Sequence, residues 1–182
     1  MMSKNMLDDI KDVLYTKEQL DEMVKRMGKQ ISEDYKDKNL LLVSILKGSV
    51  LIMADLMREI TIPAEIDFMS VSSYGDDTKT SGRVRIIKDL DKDISGYDVL
   101  LVEDILDSGR TLKKLIDFLS IKEPESVSVC TLLDKPSRRV VDVEAKYVGS
   151  LVEDQFVVGY GLDYNQKYRN LPFIGILKPE AI

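Results

Sequence analysis

A chain of 182 residues points to one domain with room for a sizeable core. Its 44% hydrophobic and 32% charged residues are the balance of an ordinary globular protein, and a formal charge of -6 argues against broad nucleic-acid binding, which needs a basic face. With no histidine and Cys130 as the lone cysteine, His-based triads, His-containing zinc sites and intramolecular disulfides are excluded, so proton transfer falls to carboxylate, lysine, tyrosine or water.

Residues 1–12 are mixed and weakly patterned and read as a loosely held arm. Asp8 and Asp9 close behind Met6 and Leu7 do not make a signal peptide, and no apolar run approaches membrane-spanning length, so a cytoplasmic chain without membrane attachment is expected. Thr16-Lys17-Glu18-Gln19 has the form of a capping box. Leu20, Met23, Val24, Met27 and Ile31 behind it form one apolar face, which predicts a helix from about Lys17 to Tyr35.

Leu40 to Leu46 is a dense apolar run, the pattern of a central strand. Lys47-Gly48-Ser49 follows it directly, before helical spacing resumes at Val50, Met53, Ala54 and Met57. A lysine beside a glycine at a strand–turn–helix corner can neutralise a phosphate while backbone N–H groups approach it. A helix start with a solvated lysine fits the spacing equally. Ala64 to Ser73 partly alternates, with Ile66 and Phe68 set against Glu65 and Asp67, and suits a less buried strand. The glycine-bounded polar stretch 74–82 reads as a long mobile loop, either a lid or a plain connection to a strand around Val84 to Ile87.

Val99 to Leu112 is the densest stretch chemically. An apolar run meets the paired acids Glu103 and Asp104 where the strand is expected to end. Asp107-Ser108-Gly109-Arg110-Thr111 follows, and Leu112, Leu115, Ile116 and Leu119 then open a helix. Unpaired N–H groups at a helix N-terminus favour an anion, whereas neighbouring carboxylates favour a hard cation or sugar hydroxyls. Together they suit a phosphorylated sugar helped by Mg²⁺. Solvated acids, with Asp107 or Ser108 as a structural N-cap, are the plainer alternative. Ser126 to Leu133 supplies another buried strand, with Cys130 as core filler, and it ends at Asp134-Lys135-Pro136. Tyr147 to Leu151 and Phe173 to Leu177 add short strands on either side of the glycine-interrupted segment Phe156 to Tyr164. The order predicts an α/β fold over residues 1–182 as a single domain: a mostly parallel central sheet flanked by helices, with a small β-rich hood formed by terminal segments.

Val99 to Leu112 resembles the phosphoribosyl pyrophosphate (PRPP) motif of type I phosphoribosyltransferases. Within that family the chain is most similar to the bacterial hypoxanthine-guanine group. Leu46-Lys47-Gly48-Ser49 resembles its pyrophosphate loop and Ser73-Tyr74-Gly75 the start of its mobile loop. Leu133-Asp134-Lys135 and Phe156 to Asn165 resemble its purine-binding segments. The resemblance implies Mg²⁺-dependent transfer of ribose 5-phosphate from PRPP to a 6-oxopurine (hypoxanthine or guanine, with xanthine left open), releasing pyrophosphate. It implies that Glu103 and Asp104 hold the ribose hydroxyls and the metal, with Asp163 serving a second Mg²⁺. It makes Asp107 the proton acceptor at purine N7, and Asp107, Ser108, Gly109, Arg110 and Thr111 the wrap around the 5′-phosphate. Lys47, Gly48 and Arg169 would bind pyrophosphate, Lys135 the purine O6, Phe156 the ring face and Val157 the base edge. Ser73 and Tyr74 would close over the reaction. A homodimer or homotetramer is implied. The rival of another class is a regulatory relative that keeps the fold but binds RNA or a protein partner; the acidic balance and the presence of Asp107, Lys135 and Asp163 count against it.

Overall fold

The computed structural model describes residues 5–73 and 84–182. Its larger sheet has six strands, β2 (Leu40–Leu46), β3 (Ala64–Ser73), β4 (Val84–Lys88), β5 (Asp98–Leu106), β6 (Ser126–Asp134) and β7 (Tyr147–Leu151), in the order β4-β3-β2-β5-β6-β7. All neighbours pair in parallel except β3 and β4. From β2 the chain runs outward to β3, and from β5 it runs outward to β6. The connection therefore reverses between β2 and β5, and at such a switch point a crevice opens at the carboxyl ends of the strands.

Helices α1 (Lys17–Asp34) and α2 (Val50–Glu59) cover one face of this sheet and α3 (Arg110–Ser120) the other. The alternation of β2 divides the core accordingly. Leu40 and Leu42 pack with Leu20, Val24, Met27 and Ile31 of α1, while Leu41, Val43 and Ile45 pack with Leu112, Leu115 and Leu119 of α3. The capping box of α1 is present: the Gln19 N–H donates to Thr16 Oγ1 at 3.4 Å and the Thr16 N–H to Gln19 Oε1 at 2.9 Å.

Three expectations are corrected. Residues 1–12 are not a loose arm among the described residues. A 3-10 turn at Met6–Asp9 leads into β1 (Ile10–Tyr15), which pairs antiparallel with β9 (Ile174–Leu177); β9 in turn pairs with β8 (Val157–Val158). Buried Asp9 accepts a hydrogen bond from the Tyr168 hydroxyl at 2.7 Å. The arm looks weakly patterned because its partners stand more than 150 residues away in the sequence. The alternation of β3 holds only in part: Phe68 packs on the core and Glu65 is exposed, but Ile66 and Asp67 break it. Asp67 and Met69 are buried and Ile66 is 40% exposed, because Asp67 is satisfied by the Asp91 N–H at 2.8 Å and by Lys88. Finally, β5 does not stop before its acids. It continues to Leu106 with Glu103 opposite Thr131 of β6, so the carboxylates project from inside the ladder.

Candidate active site

Two adjoining cavities lie at the switch point. The first, about 310 Å³, is lined by Gly48 after β2, by Glu103, Asp104 and Asp107 of β5 and its turn, by Ser108, Gly109 and Thr111, and by Asp163 and Arg169. The second, about 470 Å³, is lined by Lys135, Arg138, Asp154, Gln155, Phe156, Val157 and Leu162. Asp104, Ile105, Asp107 and Asp163 line both, so the cavities form one bipartite cleft.

The turn after β5 owes its shape to Gly109, which takes φ +78° at the N-cap of α3, a left-handed conformation that suits glycine. Neither Asp107 nor Ser108 is the N-cap. No side chain caps α3 beyond a long 3.4 Å contact from the Arg110 N–H to Ser108 Oγ, and Ser108, Gly109 and Thr111 of this turn line the first cavity. Arg110 is exposed on the helix and does not line either cavity.

The acidic wall is electrostatically loaded. Burial, with Asp104 next to it, pushes the Glu103 carboxyl well above its ordinary value. Burial raises Asp104 to about 6, with Asp163 adding to the rise; the Ile105 N–H and the Arg169 guanidinium pull the other way. Gly48 packs against this wall so closely that a Cβ there would lie 1.8 Å from Asp104 Oδ2. A larger residue at this position would have to displace the Asp104 carboxylate or hold the loop after β2 away from it. Arg169 pairs with Asp163 Oδ1 at 2.7 Å and donates to the Gly161 carbonyl at 2.7 Å. Lys47 is exposed at the rim, its Nζ 3.4 Å from Gln166 Oε1, and it does not line the first cavity.

In the second cavity Lys135 is 7% exposed and its Nζ donates to the Gln155 carbonyl at 2.5 Å. The Phe156 ring, 42% exposed, meets Tyr164 edge-on at 5.4 Å between centroids. Val157 is buried in β8. Ser73 is the last residue of β3, and Tyr74 and the loop 75–82 lie outside the described residues. The sequence reading missed Arg138, Arg139, Asp154 and Gln155. Its one available signal was the basic doublet after Lys135-Pro136, at the end of a central strand.

The structure thus brings Gly48, Glu103, Asp104, Asp107, Ser108, Gly109, Thr111, Lys135, Phe156, Val157, Asp163 and Arg169 into one cleft, and leaves Lys47 and Arg110 at its edge. The donors on its acidic wall are hard carboxylate oxygens, which suit Mg²⁺. Among the described residues no three acidic, His or Cys side chains stand close enough to cage an ion. No helix among the described residues is long and apolar enough to cross a membrane.

Residues 12–165 match the phosphoribosyl transferase domain family. The chain is 51% identical to a hypoxanthine-guanine phosphoribosyltransferase of Staphylococcus aureus over 97% of this chain and 98% of that protein. It is 49% identical to the bifunctional protein TilS/HprT of Listeria monocytogenes over 98% of this chain, which spans only 28% of that longer protein. A crystal structure of a Staphylococcus aureus hypoxanthine phosphoribosyltransferase superposes with a TM-score of 0.94 at 50% identity, covering 100% of this chain and 98% of that one. The mostly parallel sheet with its separate antiparallel hood, the acidic switch-point cleft and these likenesses agree: the chain belongs to the phosphoribosyltransferase family, within its hypoxanthine-guanine group.

Proposed function

We propose that the chain transfers ribose 5-phosphate from PRPP to a 6-oxopurine, hypoxanthine or guanine, giving the nucleoside 5′-monophosphate and pyrophosphate, with Mg²⁺ as cofactor. The observation that carries this reading is the bipartite cleft itself. A phosphate-type turn and a half-buried acidic wall adjoin a cavity that pairs the nearly buried Lys135 with the exposed ring of Phe156, and Asp107 stands between the two halves.

In this reading the N–H groups and hydroxyls of Asp107 to Thr111 hold the 5′-phosphate at the start of α3. Gly48 brings its loop against pyrophosphate, with Lys47 and Arg169 supplying positive charge to the leaving group. Glu103 and Asp104 hold the ribose hydroxyls and would bind Mg²⁺, with Asp163 for a second ion; bound there, Mg²⁺ stabilises the negative charge of the departing pyrophosphate. As the C1′–O bond to pyrophosphate breaks and purine N9 bonds to C1′, Asp107 accepts the proton from N7. Lys135 can only donate, so it selects a 6-oxo over a 6-amino group. Phe156 stacks on the ring, Val157 meets the base edge through its backbone, and Ser73 and Tyr74 close over the reaction. A homodimer or homotetramer is part of the same proposal.

The test is pyrophosphate release from PRPP and Mg²⁺ with hypoxanthine, guanine and xanthine in competition. Stoichiometric nucleotide and pyrophosphate are expected with hypoxanthine and guanine. Absence of turnover with all three bases overturns the reading.

A further inference from the structure

Asp107 is held by two consecutive arginines. Arg138 Nε donates to Asp107 Oδ1 at 3.3 Å, and Arg139 Nη1 donates to the Asp107 carbonyl oxygen at 2.9 Å. Each arginine has a second anchor. Arg139 Nη2 pairs with Asp134 at the end of β6, and Arg138 Nη1 donates to Asp154 Oδ2 at 3.2 Å. Both stand on the short turn after Lys135, where Pro136 opens a 3-10 turn and the Arg138 and Arg139 N–H groups close back on the Lys135 and Pro136 carbonyls at 3.1 Å each.

We propose that Arg138 is a positioning residue for the transfer reaction: it fixes Asp107 through Oδ1, with Asp154 as counter-anchor, and leaves Oδ2 to take the purine proton. The inference rests on the assignment of Asp107 as proton acceptor made above. Three observations support it. Arg138, Asp107 and Asp154 line the same cavity, so the bridge runs along the wall of the base site. Among the described residues Asp107 Oδ2 makes no hydrogen bond, while Oδ1 is occupied by Arg138. The pairs themselves are half exposed, at 52% for Arg138, 44% for Asp107 and 53% for Asp154, and exposed pairs of this kind add little to stability. What such a bridge supplies is direction. The guanidinium is a rigid fork, so two carboxylates bonded to it cannot turn independently, and a proton acceptor oriented by a third group is the general logic of assisted proton transfer. The proton on N7 passes to Oδ2 as N9 attacks C1′ and pyrophosphate leaves with the electron pair of the C1′–O bond, so no further reactant is needed.

The experiment compares wild type, Arg138→Gln, Arg138→Lys, Asp107→Asn and the Arg138→Gln/Asp107→Asn double variant, reading kcat, both KM values and Tm. Arg138→Gln is expected to lower kcat with hypoxanthine about tenfold. The PRPP KM should stay within about twofold and Tm should hold. Arg138→Lys should recover part of the loss by keeping the charge without the fork. In the Asp107→Asn background, Arg138→Gln should lower kcat no further. An unchanged kcat in Arg138→Gln, or the same tenfold loss repeated in the double variant, overturns the proposal. So does a fall in Tm accompanied by a rise in both KM values, which is what a merely structural bridge would give. If wild type turns over no purine, the functional reading fails and this inference with it; if wild type is active and Asp107→Asn is impaired while Arg138→Gln is not, this inference alone fails.

Discussion

At the scale of single residues, the cleft distinguishes side chains that act from those that make room. Asp107 lies between the phosphate turn and the base cavity, so Asp107→Asn should keep the shape of the turn while removing a proton acceptor. Its kcat should fall about a hundredfold or more, the range of general base catalysis, with a far smaller change in the PRPP KM; equal losses in both would remove Asp107 from the proton path. Gly48→Ala tests space. The added methyl would meet the Asp104 carboxylate, so either that carboxylate turns aside or the loop after β2 retreats. The PRPP KM is expected to rise with the hypoxanthine KM little changed, and steady-state kinetics at saturating base would show it. Glu103, Asp104, Asp107 and Gly109 could be read from sequence because they are contiguous and sit between a strand pattern and a helix pattern. Arg138 and Asp154 could not. Each is one charged residue in a polar loop, and Arg138 meets Asp107 across 31 positions and Asp154 across 16, separations that only the folded chain brings together.

At the scale of elements, hydrophobic period identified the strands and helices of the large sheet because each buries a continuous face against its neighbours. It placed β3 as a strand but not the burial of Asp67, a carboxylate where an apolar side chain would be expected. Burial alone would raise Asp67, but the N–H groups of Asp91 and Phe68 and the Lys88 ammonium outweigh it and hold its carboxyl below its ordinary value. A depressed pKa in the folded state means that the unfolded chain binds more protons in acid. The stabilisation from Asp67 is therefore full above the unfolded value of about 3.9 and disappears as pH falls through the lower folded value. Asp67→Asn should lower Tm at neutral pH and flatten the decline of Tm below about pH 4. Thermal melts from pH 7 to pH 2.5 check this, and parallel curves for the two proteins would contradict it. Buried Asp67, bonded to Lys88 at the end of β4 and to the Asp91 N–H in the turn beyond it, ties β3 to that corner, a connection that alternation in the sequence does not express.

At the scale of the whole molecule, alternating strands and helices implied a parallel sheet, but not that β2 and β5 would be its central pair. The connections run outward from β2 and β5 in opposite directions, and this order places Gly48 beside Asp104. The resulting cleft collects acids whose mutual repulsion a cation would relieve. PRPP with Mg²⁺ at about a hundredfold excess over Kd should add roughly 2.7 kcal/mol, or about 5–10 °C in Tm for a chain of this size, and more than either added alone. Calorimetry with the chelator EDTA as control would show the dependence, and an equal shift without divalent cation would count against the acidic wall as the metal site. The hood joins β1 to β9, so among the described residues the first strand is paired with the last. During synthesis β1 leaves the ribosome well before its partner and must wait, unpaired, until Ile174–Leu177 follows. Asp163, Arg169 and the floor of the base cavity are also delivered late, by the same C-terminal stretch. A nascent chain can thus bring together the β2–β7 sheet while Asp163 and Arg169, which line the cleft, are still to be added.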